Sequence, residues 1–247
     1  MLLHAFMQDA SMWDHQVAAL SGRYRCLRPD LPGCGLSPAA DGEASLDDLA
    51  RRVWTVLDTA GADRVAIAGA SMGGYLALAL ARVAPERVTG VALVGSRDDP
   101  DPPEAAPVRL ALAARLRDDG HAVLEAEMED QVGRLLSPWA AREAHITDPF
   151  RGRVRGCDPT SLAALLDAIR ERPDARPVTS TLEVPALVVH GDEDRVIPPD
   201  EARGMAARLR HGHLETVAGA GHLVGLEAHE AVSAALAAWL ERVGADA

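Results

Sequence analysis

The sequence predicts an α/β fold in which a mostly parallel sheet is flanked by helices. Short apolar runs alternate with longer amphipathic ones along the chain, as they do when helices connect the strands of a parallel sheet. The length of 247 residues suits one domain, or one domain with a modest insertion. Hydrophobic residues make up 48% of the chain and charged residues 25%, a globular composition that excludes wholesale disorder.

Strands are predicted where apolar residues run without polar interruption, and helices where they recur at helical spacing. The helix signal is clearest after Ser45, because Ser45 and Asp48 have the spacing of a capping box and apolar residues then share one face. The predicted strands are 1–3, 24–28, 64–70, 88–94, 184–190 and 213–217. The predicted helices outside the middle of the chain are 11–20, 45–60, 72–83 and 227–243, the third of them buried.

The stretch 97–181 departs from this alternation. It opens with the acidic, proline-rich run 98–103 and contains no strand pattern. Helices are predicted there at 108–117, 121–136, 138–145 and 160–170. We expect a helical insertion at 97–181 between two strands of a core that comprises 1–96 and 182–247.

The charged residues exclude several kinds of chemistry and partner. The chain has no lysine and no asparagine, which excludes a Schiff-base lysine, a phosphate-loop lysine and a Cys-His-Asn triad. The formal net charge of -12 argues against nucleic acid and anionic membranes as partners. Since no stretch has the length of a transmembrane helix or the pattern of a signal peptide, a cytoplasmic protein is expected.

No metal, cofactor or disulfide is expected. The three cysteines, Cys26, Cys34 and Cys157, fit no metal or disulfide spacing and are interpreted as reduced structural residues. His211 and His213 alternate at a strand end, but no carboxylate or cysteine is spaced to complete a metal shell with them.

The strongest chemical signal is a G-x-S-x-G turn at 69–73, between a predicted buried strand and a predicted buried helix. Such a turn forces its serine, here Ser71, into a strained conformation and presents the hydroxyl above the sheet at a helix N-terminus. Its glycines allow the neighbouring backbone to approach closely. The sequence therefore predicts Ser71 as a nucleophile.

A serine hydroxyl is a weak nucleophile, so it needs a base that is held in place by an acid. Two downstream segments at strand ends offer them: Gly-Asp-Glu-Asp at 191–194 and Gly-Ala-Gly-His at 219–222. The order serine, acid, histidine is the one this strand-turn-helix architecture uses. Asp192 and Glu193 compete with Asp194, which the spacing to the following Val-Ile-Pro favours.

Ordered sequence motifs carry a resemblance that spans nearly the whole chain. The segment 4–16, His-Ala-Phe-Met-Gln-Asp-Ala-Ser-Met-Trp-Asp-His-Gln, resembles the region after the third strand of 3-oxoadipate enol-lactonases. Residues 30–37, Asp-Leu-Pro-Gly-Cys-Gly-Leu-Ser, match a D-x-P-G-x-G-x-S loop. With the serine turn and the two downstream segments, they make the chain similar to the α/β-hydrolase fold superfamily, and within it to the carboxylesterase, enol-lactonase and cofactor-free haloperoxidase branch.

The resemblance implies a role for each candidate residue. Ser71 would be the nucleophile, His222 the general base and Asp194 the orienting acid. The oxyanion hole would consist of the backbone N–H groups of Phe6 and Met72, two donors aimed at the oxygen that gains charge.

The resemblance leaves alternatives in the first half of the chain. Some relatives keep the acid after the sixth strand, where this chain has Asp98 and Asp99. His4 is expected to shape the oxyanion loop and not to carry protons. The resemblance implies that the superfamily's first two strands are missing here, with residues 1–3 expected to belong to the third. A sheet of strand order 4-3-5-6-7-8 is then expected, with 24–28 at its exposed edge.

The resemblance also makes the insertion a helical lid after the sixth strand. Candidate substrate-binding residues within it are Trp139, Phe150, Met128 and Leu135, with packing of the lid core as the equal alternative. Three arginines at 151, 153 and 155 are interpreted as surface residues in preference to ligands of a substrate carboxylate.

The expected function is that of a cofactor-free serine hydrolase. It would cleave a small to medium carboxylic ester, lactone or thioester through an acyl-enzyme, with a small molecule as its partner and a monomer or homodimer as its state. One alternative is a C–C bond or enol-lactone hydrolase with the same triad. Another is a ligand-binding protein that retains the triad.

Overall fold

A parallel sheet forms the centre of the computed structural model, which describes residues 1–39 and 45–245. Within those residues the sheet has five strands in the order β1-β2-β3-β4-β5. All neighbouring pairs are parallel, so the chain crosses over the sheet between successive strands. The strands are β1 (Leu2–Leu3), β2 (Val65–Ala70), β3 (Val88–Val94), β4 (Ala186–Gly191) and β5 (Gly212–Val217).

Helices cover the sheet and fill the interval between β3 and β4. Short 3-10 turns lie at Ala10–Trp13, Pro85–Arg87 and Ala140–Arg142. The α-helices are α1 (Asp14–Leu20), α2 (Leu46–Thr59), α3 (Met72–Val83), α4 (Ala105–Asp119), α5 (His121–Leu135), α6 (Ala144–Gly156), α7 (Pro159–Arg170), α8 (Arg176–Thr181), α9 (Pro199–Arg208), α10 (Val224–Glu227) and α11 (His229–Ala245). The predicted parallel sheet flanked by helices is thereby confirmed.

The core consists of small aliphatic side chains at the middle of the sheet. Strand β3 and helix α3 are buried along nearly their whole length, because neither contains a charged residue before its last turn. Helix α2 covers α3 and begins as predicted, with a capping box in which Ser45 Oγ accepts from the Asp48 N–H and Asp48 accepts from the Ser45 N–H.

Two predicted elements are wrong. Residues 24–28 form no strand, although the Leu2 N–H still donates to the Leu27 carbonyl at 2.8 Å. With only two residues in β1, this edge has too few pairing partners for a further strand. The predicted helix 138–145 is instead a 3-10 turn followed by α6, which continues through Pro149.

Helices α4 to α8 connect β3 to β4 and lie within the predicted insertion 97–181. They contact the loop before α2 where Cys157 meets Cys34. The two Sγ atoms are buried and 3.7 Å apart, and they form no disulfide. That 97–181 forms a unit separate from the core stays a prediction.

Candidate active site

Ser71 occupies the sharp junction between β2 and α3. Its backbone has φ 49° and ψ -112°, in the left-handed half of conformational space that non-glycine residues rarely adopt. The strand and helix meet so closely that a Cβ on Gly69 would lie 2.1 Å from the Gly73 carbonyl oxygen. A Cβ on Gly73 would lie 2.3 Å from the Leu3 carbonyl oxygen. The two glycines are therefore what permits the turn, as the motif predicts.

His222 lies on the loop after β5 and reaches Ser71. Its Nε2 atom is 2.8 Å from Ser71 Oγ, and its Nδ1 atom is 2.8 Å from Asp194 Oδ2. Because a carboxylate only accepts hydrogen bonds, Nδ1 carries the proton and Nε2 is left to accept the Ser71 hydroxyl proton. The three side chains predicted from the sequence thus form one continuous hydrogen-bonded chain.

Asp194 follows β4 and is buried, with 6% of its surface exposed. Its Oδ1 atom accepts from the N–H groups of Val196 and Ile197 at 2.8 and 2.9 Å. Burial alone would raise the pKa of Asp194, but the electrostatic interaction and hydrogen bond with His222, together with the Ile197 N–H, outweigh burial and lower it. The carboxylate is therefore ionised at neutral pH and fixed in the plane that His222 requires.

The other candidate acids have other partners. Asp192 accepts from the Gly219 N–H at 2.7 Å, and Asp99 pairs with Arg97. Asp98 accepts from Thr179 Oγ1 at 2.6 Å and from Arg208 Nε at 2.9 Å. Of the acids considered in the sequence, Asp194 is the one in contact with His222.

A second histidine lies beneath Asp194. His190 Nε2 is 2.9 Å from the Ile197 carbonyl oxygen and 3.4 Å from Asp194 Oδ2. Burial lowers the pKa of His190, so its ring is neutral and Nε2–H donates to this pair of oxygens. His190 is a packed residue that supports the same carboxylate that orients His222.

Two backbone N–H groups beside Ser71 have no acceptor in the part of the chain that the structure describes, those of Phe6 and Met72. The Phe6 loop is fixed by His4, whose Nε2 accepts from the Leu31 N–H at 2.8 Å and whose Nδ1 donates to the Ala5 carbonyl at 2.9 Å. Burial lowers the pKa of His4, which keeps the ring neutral in this arrangement. Such a pair of free donors can stabilise a developing oxyanion.

A cavity of about 50 Å³ opens at Ser71 and His222. This volume holds about four water molecules, so the cavity fits a substrate with a short carbon chain. A larger cavity, of about 370 Å³, lies at the amino ends of β1 and β2 and contains neither side chain. The inserted helices contribute one wall of the cavity at Ser71 through Arg109, Gln131, Arg134, Leu135 and Ile169.

A strand followed by a serine turn, with a histidine near the end of the chain, is an arrangement found in a known protein family. A model of the alpha/beta hydrolase fold matches residues 1–228. The chain belongs to the α/β-hydrolase fold family. The resemblance drawn from the sequence motifs is confirmed.

Relatives among the α/β hydrolases include enzymes that act on esters. The pimeloyl-[acyl-carrier protein] methyl ester esterase of Neisseria meningitidis is 30% identical over 256 residues, which cover 98% of this chain and 76% of that protein. A thermophilic esterase from Thermogutta terrifontis, solved with malate bound, is 31% identical with a TM-score of 0.93, covering 98% of this chain and 89% of that one. The enol-lactonase of Burkholderia xenovorans is 30% identical with a TM-score of 0.85, covering 97% and 90%.

The chain is shorter than one of the proteins that it matches. It spans 63% of the dihydrolipoyllysine-residue acetyltransferase component of an acetoin cleaving system from Pseudomonas putida. The identity is 31% over 98% of this chain.

Three of the four predicted pocket residues of this α/β hydrolase lie elsewhere. Phe150 and Met128 are buried among the inserted helices, and Trp139 is half exposed and lines a separate cavity of about 450 Å³. Leu135 alone of the four lines the cavity at Ser71. Helical spacing identifies an apolar face but does not say whether it packs on other helices or on a substrate.

The three arginines of α6 make contacts within the protein. Arg151 pairs with Glu129 and Arg155 with Glu125, whereas Arg153 donates to Gln8 Oε1 at 2.7 Å. None of the three lines the cavity at Ser71. The interpretation as surface residues holds for Arg155, whereas Arg151 and Arg153 are partly buried.

Glu227 was not among the residues predicted for the site, yet it holds the His222 loop. Its Oε2 atom accepts from the Gly221 N–H at 3.0 Å and from the Ser137 N–H at 3.1 Å. Gly221 precedes His222 and Ser137 belongs to the insertion, so one carboxylate joins the two. Burial raises the pKa of Glu227, and its Oε1 atom has no partner among the described residues.

Glu227→Gln is expected to change how stability depends on pH. Because the pKa of Glu227 is raised above its ordinary 4.5, the folded chain holds a proton that the unfolded chain releases. The wild-type free energy of unfolding therefore falls as pH rises from 4.5 through the folded-state pKa. Glutamine keeps an oxygen acceptor and does not ionise. The free energy of unfolding of the variant relative to that of the wild type is therefore expected to increase as pH rises.

Urea denaturation of both proteins at several pH values between about 5 and 8 measures this difference. Glu230→Gln, on the exposed start of α11, controls for the loss of one carboxylate. A difference that stays constant over this range contradicts the assignment.

Residues 1–39 and 45–245 contain neither a metal-binding cluster nor a membrane-spanning helix. No group of three or more histidine, cysteine or acidic side chains is placed to hold a metal ion. No helix is long and apolar enough to cross a bilayer.

Proposed function

We propose that this chain is a serine hydrolase that cleaves a small to medium carboxylic ester, lactone or thioester through an acyl-enzyme on Ser71. The observation that carries the proposal is the hydrogen-bonded chain from Ser71 Oγ through His222 to Asp194, with 2.8 Å at each link. It ends in a cavity that the Phe6 and Met72 amides also line. Membership of its family and its esterase and enol-lactonase relatives make the chain a hydrolase that acts on esters.

In the first half of the reaction, Ser71 Oγ attacks the carbonyl carbon and His222 Nε2 takes the hydroxyl proton. Asp194 stabilises the imidazolium that forms. The carbonyl oxygen gains negative charge and is held by the Phe6 and Met72 N–H groups, each worth about 3–4 kcal/mol in such sites. The tetrahedral intermediate collapses, the C–O bond of the ester breaks, and His222 returns its proton to the leaving alcohol.

In the second half, water replaces the alcohol. His222 removes a proton from the water as it attacks the acyl carbon, and the same two amides hold the new oxyanion. The proton then returns to Ser71 Oγ as the acid leaves. The inserted helices, which supply one wall of the cavity, would act as a lid that excludes bulk water from these steps.

The same machinery would cleave an enol-lactone, and the enol-lactonase relative favours that as the second candidate. A panel of short p-nitrophenyl esters, thioesters and lactones separates these substrates. The cytoplasmic location and the monomer or homodimer stay predictions.

The test is covalent labelling by a fluorophosphonate. We expect intact-mass analysis to show one adduct on the wild-type chain and none on Ser71→Ala, because only an activated serine is phosphonylated at neutral pH. Ser180→Ala removes an exposed hydroxyl in α8 and is the matched control, expected to label like the wild type. Equal labelling of Ser71→Ala and the wild type would exclude Ser71 as the nucleophile, and no labelling of either would favour the ligand-binding alternative.

A further inference from the structure

One wall of the cavity at Ser71 is rich in hydrogen-bond donors and contains no acid. The donors that line it are Arg109 from α4, Gln131 and Arg134 from α5, and Tyr75 from α3. No aspartate or glutamate among the described residues lines it. This is unusual in a chain whose formal net charge is -12. An enclosed site lined by one sign of charge attracts ligands of the opposite sign.

Two of these donors belong to largely buried residues and have no hydrogen-bond partner in the described part of the chain. Gln131 is 6% exposed and Tyr75 is 7% exposed, and neither the Gln131 amide nor the Tyr75 hydroxyl makes a hydrogen bond within residues 1–39 and 45–245. Burial raises the pKa of Tyr75, so its hydroxyl keeps the proton that it can donate. Both residues line the cavity, so their polar groups can bind a ligand that enters it.

Arg134 carries a positive charge that the described part of the chain leaves without a carboxylate partner. Other arginines of the insertion do have such partners: Arg115 pairs with Glu127, and Arg155 with Glu125. Arg134 is exposed, yet it faces the cavity at Ser71. It is therefore available to an anion that enters from solvent.

Arg109 belongs to a network of ion pairs. It shares the single carboxylate of Asp101 with Arg172, whose guanidinium lies 2.7 Å from Asp101 and 4.1 Å from the centre of the Tyr75 ring. A further arginine nearby, Arg97, is paired with Asp99 and Glu201. Neither Arg97 nor Arg172 lines the cavity. Asp101 thus orients Arg109, which is the charged group of this network that lines the cavity.

We propose that Arg109, Arg134 and Gln131 form a subsite for a carboxylate carried by the substrate, so that the preferred esters are short and anionic. The inference rests on the proposed hydrolysis at Ser71 and specifies its substrate class. The guanidinium groups and the amide bind the carboxylate oxygens, and Tyr75 supplies a further donor. A carboxylate could stand on the acyl side or on the alcohol side of the scissile bond.

The experiment compares matched esters in which a carboxylate replaces a methyl group. On the acyl side these are monomethyl glutarate and methyl pentanoate; on the alcohol side they are 3-acetoxypropanoate and propyl acetate. Hydrolysis is followed by pH-stat titration, with Ser71→Ala as the background. We expect kcat/KM of the wild type to favour the anionic ester by about tenfold in one arm, which identifies the side, and 0.5 M salt to reduce that preference.

Variants test whether the wall is responsible. Arg134→Gln and Arg109→Gln are expected to lower the anionic-to-neutral ratio of kcat/KM by about tenfold each, mainly through KM. Arg155→Gln, an arginine of the same insertion outside the cavity, is expected to keep the wild-type ratio. Arg134 is exposed, so its variant folds even if Arg109→Gln does not; melting temperatures report this.

The outcomes distinguish failure of the carboxylate subsite from failure of the proposed hydrolysis at Ser71. Ser71-dependent turnover of neutral esters with no preference for the anionic ones in either arm overturns the subsite and leaves the proposed hydrolysis intact. A preference that survives in Arg134→Gln and in folded Arg109→Gln also overturns the subsite. Absence of Ser71-dependent turnover of all four esters overturns the hydrolysis at this site and the subsite with it.

Discussion

Asp194→Asn is expected to lower kcat for a short ester by about four orders of magnitude while the chain stays folded. Asp194 accepts the Nδ1 proton of His222 and so leaves Nε2 free to receive the Ser71 proton. An asparagine can turn its NH2 group toward Nδ1, which favours the other tautomer and places a proton on Nε2. The base is then blocked, although all three side chains remain in place.

Initial rates on p-nitrophenyl acetate at pH 8 and thermal melting measure the two effects separately. Asp98→Asn is the matched control, since Asp98 is the buried acid that the sequence left as an alternative and its partners are Thr179 and Arg208. We expect it to reduce stability and to keep kcat within about threefold of wild type, because its charge acts in a buried ion pair with Arg208 and not on His222. Loss of activity in Asp98→Asn but not in Asp194→Asn would reverse the assignment of the acid.

Gly69→Ala is expected to reduce both stability and activity. The new Cβ would lie within 2.6 Å of three backbone atoms of Gly73 and Gly74, and no side-chain rotation relieves a clash with backbone. Overpacking of this kind costs about 1–3 kcal/mol, which lowers Tm by roughly 2–12 °C in a domain of this size. Ser71 moves with the displaced turn, and a shift of about 1 Å lowers kcat/KM by about a hundredfold.

Gly152→Ala is the same substitution at a position with open space. Gly152 lies in α6, and a Cβ there would meet nothing within 4 Å. Alanine in a helix stabilises by about 0.4–1 kcal/mol, so this variant is expected to melt slightly higher and to keep its activity. Equal behaviour of the two variants in melting and in rate would mean that the turn at Ser71 does not depend on its glycines.

The parts of the fold that the sequence predicts well are those that are decided locally. Strand β3 and helix α3 begin and end where the apolar runs do, because both are buried on all sides. Helix α9 was not predicted, since only Ala202 and Met205 among its residues are buried and its apolar periodicity is too short to detect. The strand predicted at 24–28 is wrong for a different reason. Its pairing depends on the length of β1, which has only two residues.

The candidate site divides in the same way. Ser71, Asp194 and His222 follow from a turn motif and from chain order, which are visible in the sequence. The cavity wall does not, because Arg109 and Gln131 occupy helices whose orientation depends on how the insertion packs. Glu227 escapes sequence reasoning altogether, since it acts through the backbone N–H of Ser137, 90 residues away.

The loop that carries His222 is bound on two sides by the insertion, through the Leu135 carbonyl to the Leu223 N–H at 3.1 Å and through Glu227 to Ser137. Chimeras that exchange the inserted helices with those of a relative would therefore also exchange the support of the imidazole. Grafts that retain 135–137 from this chain are expected to keep the proton acceptor aligned while changing the specificity of the cavity, whereas grafts that replace those residues need a compensating partner for Glu227.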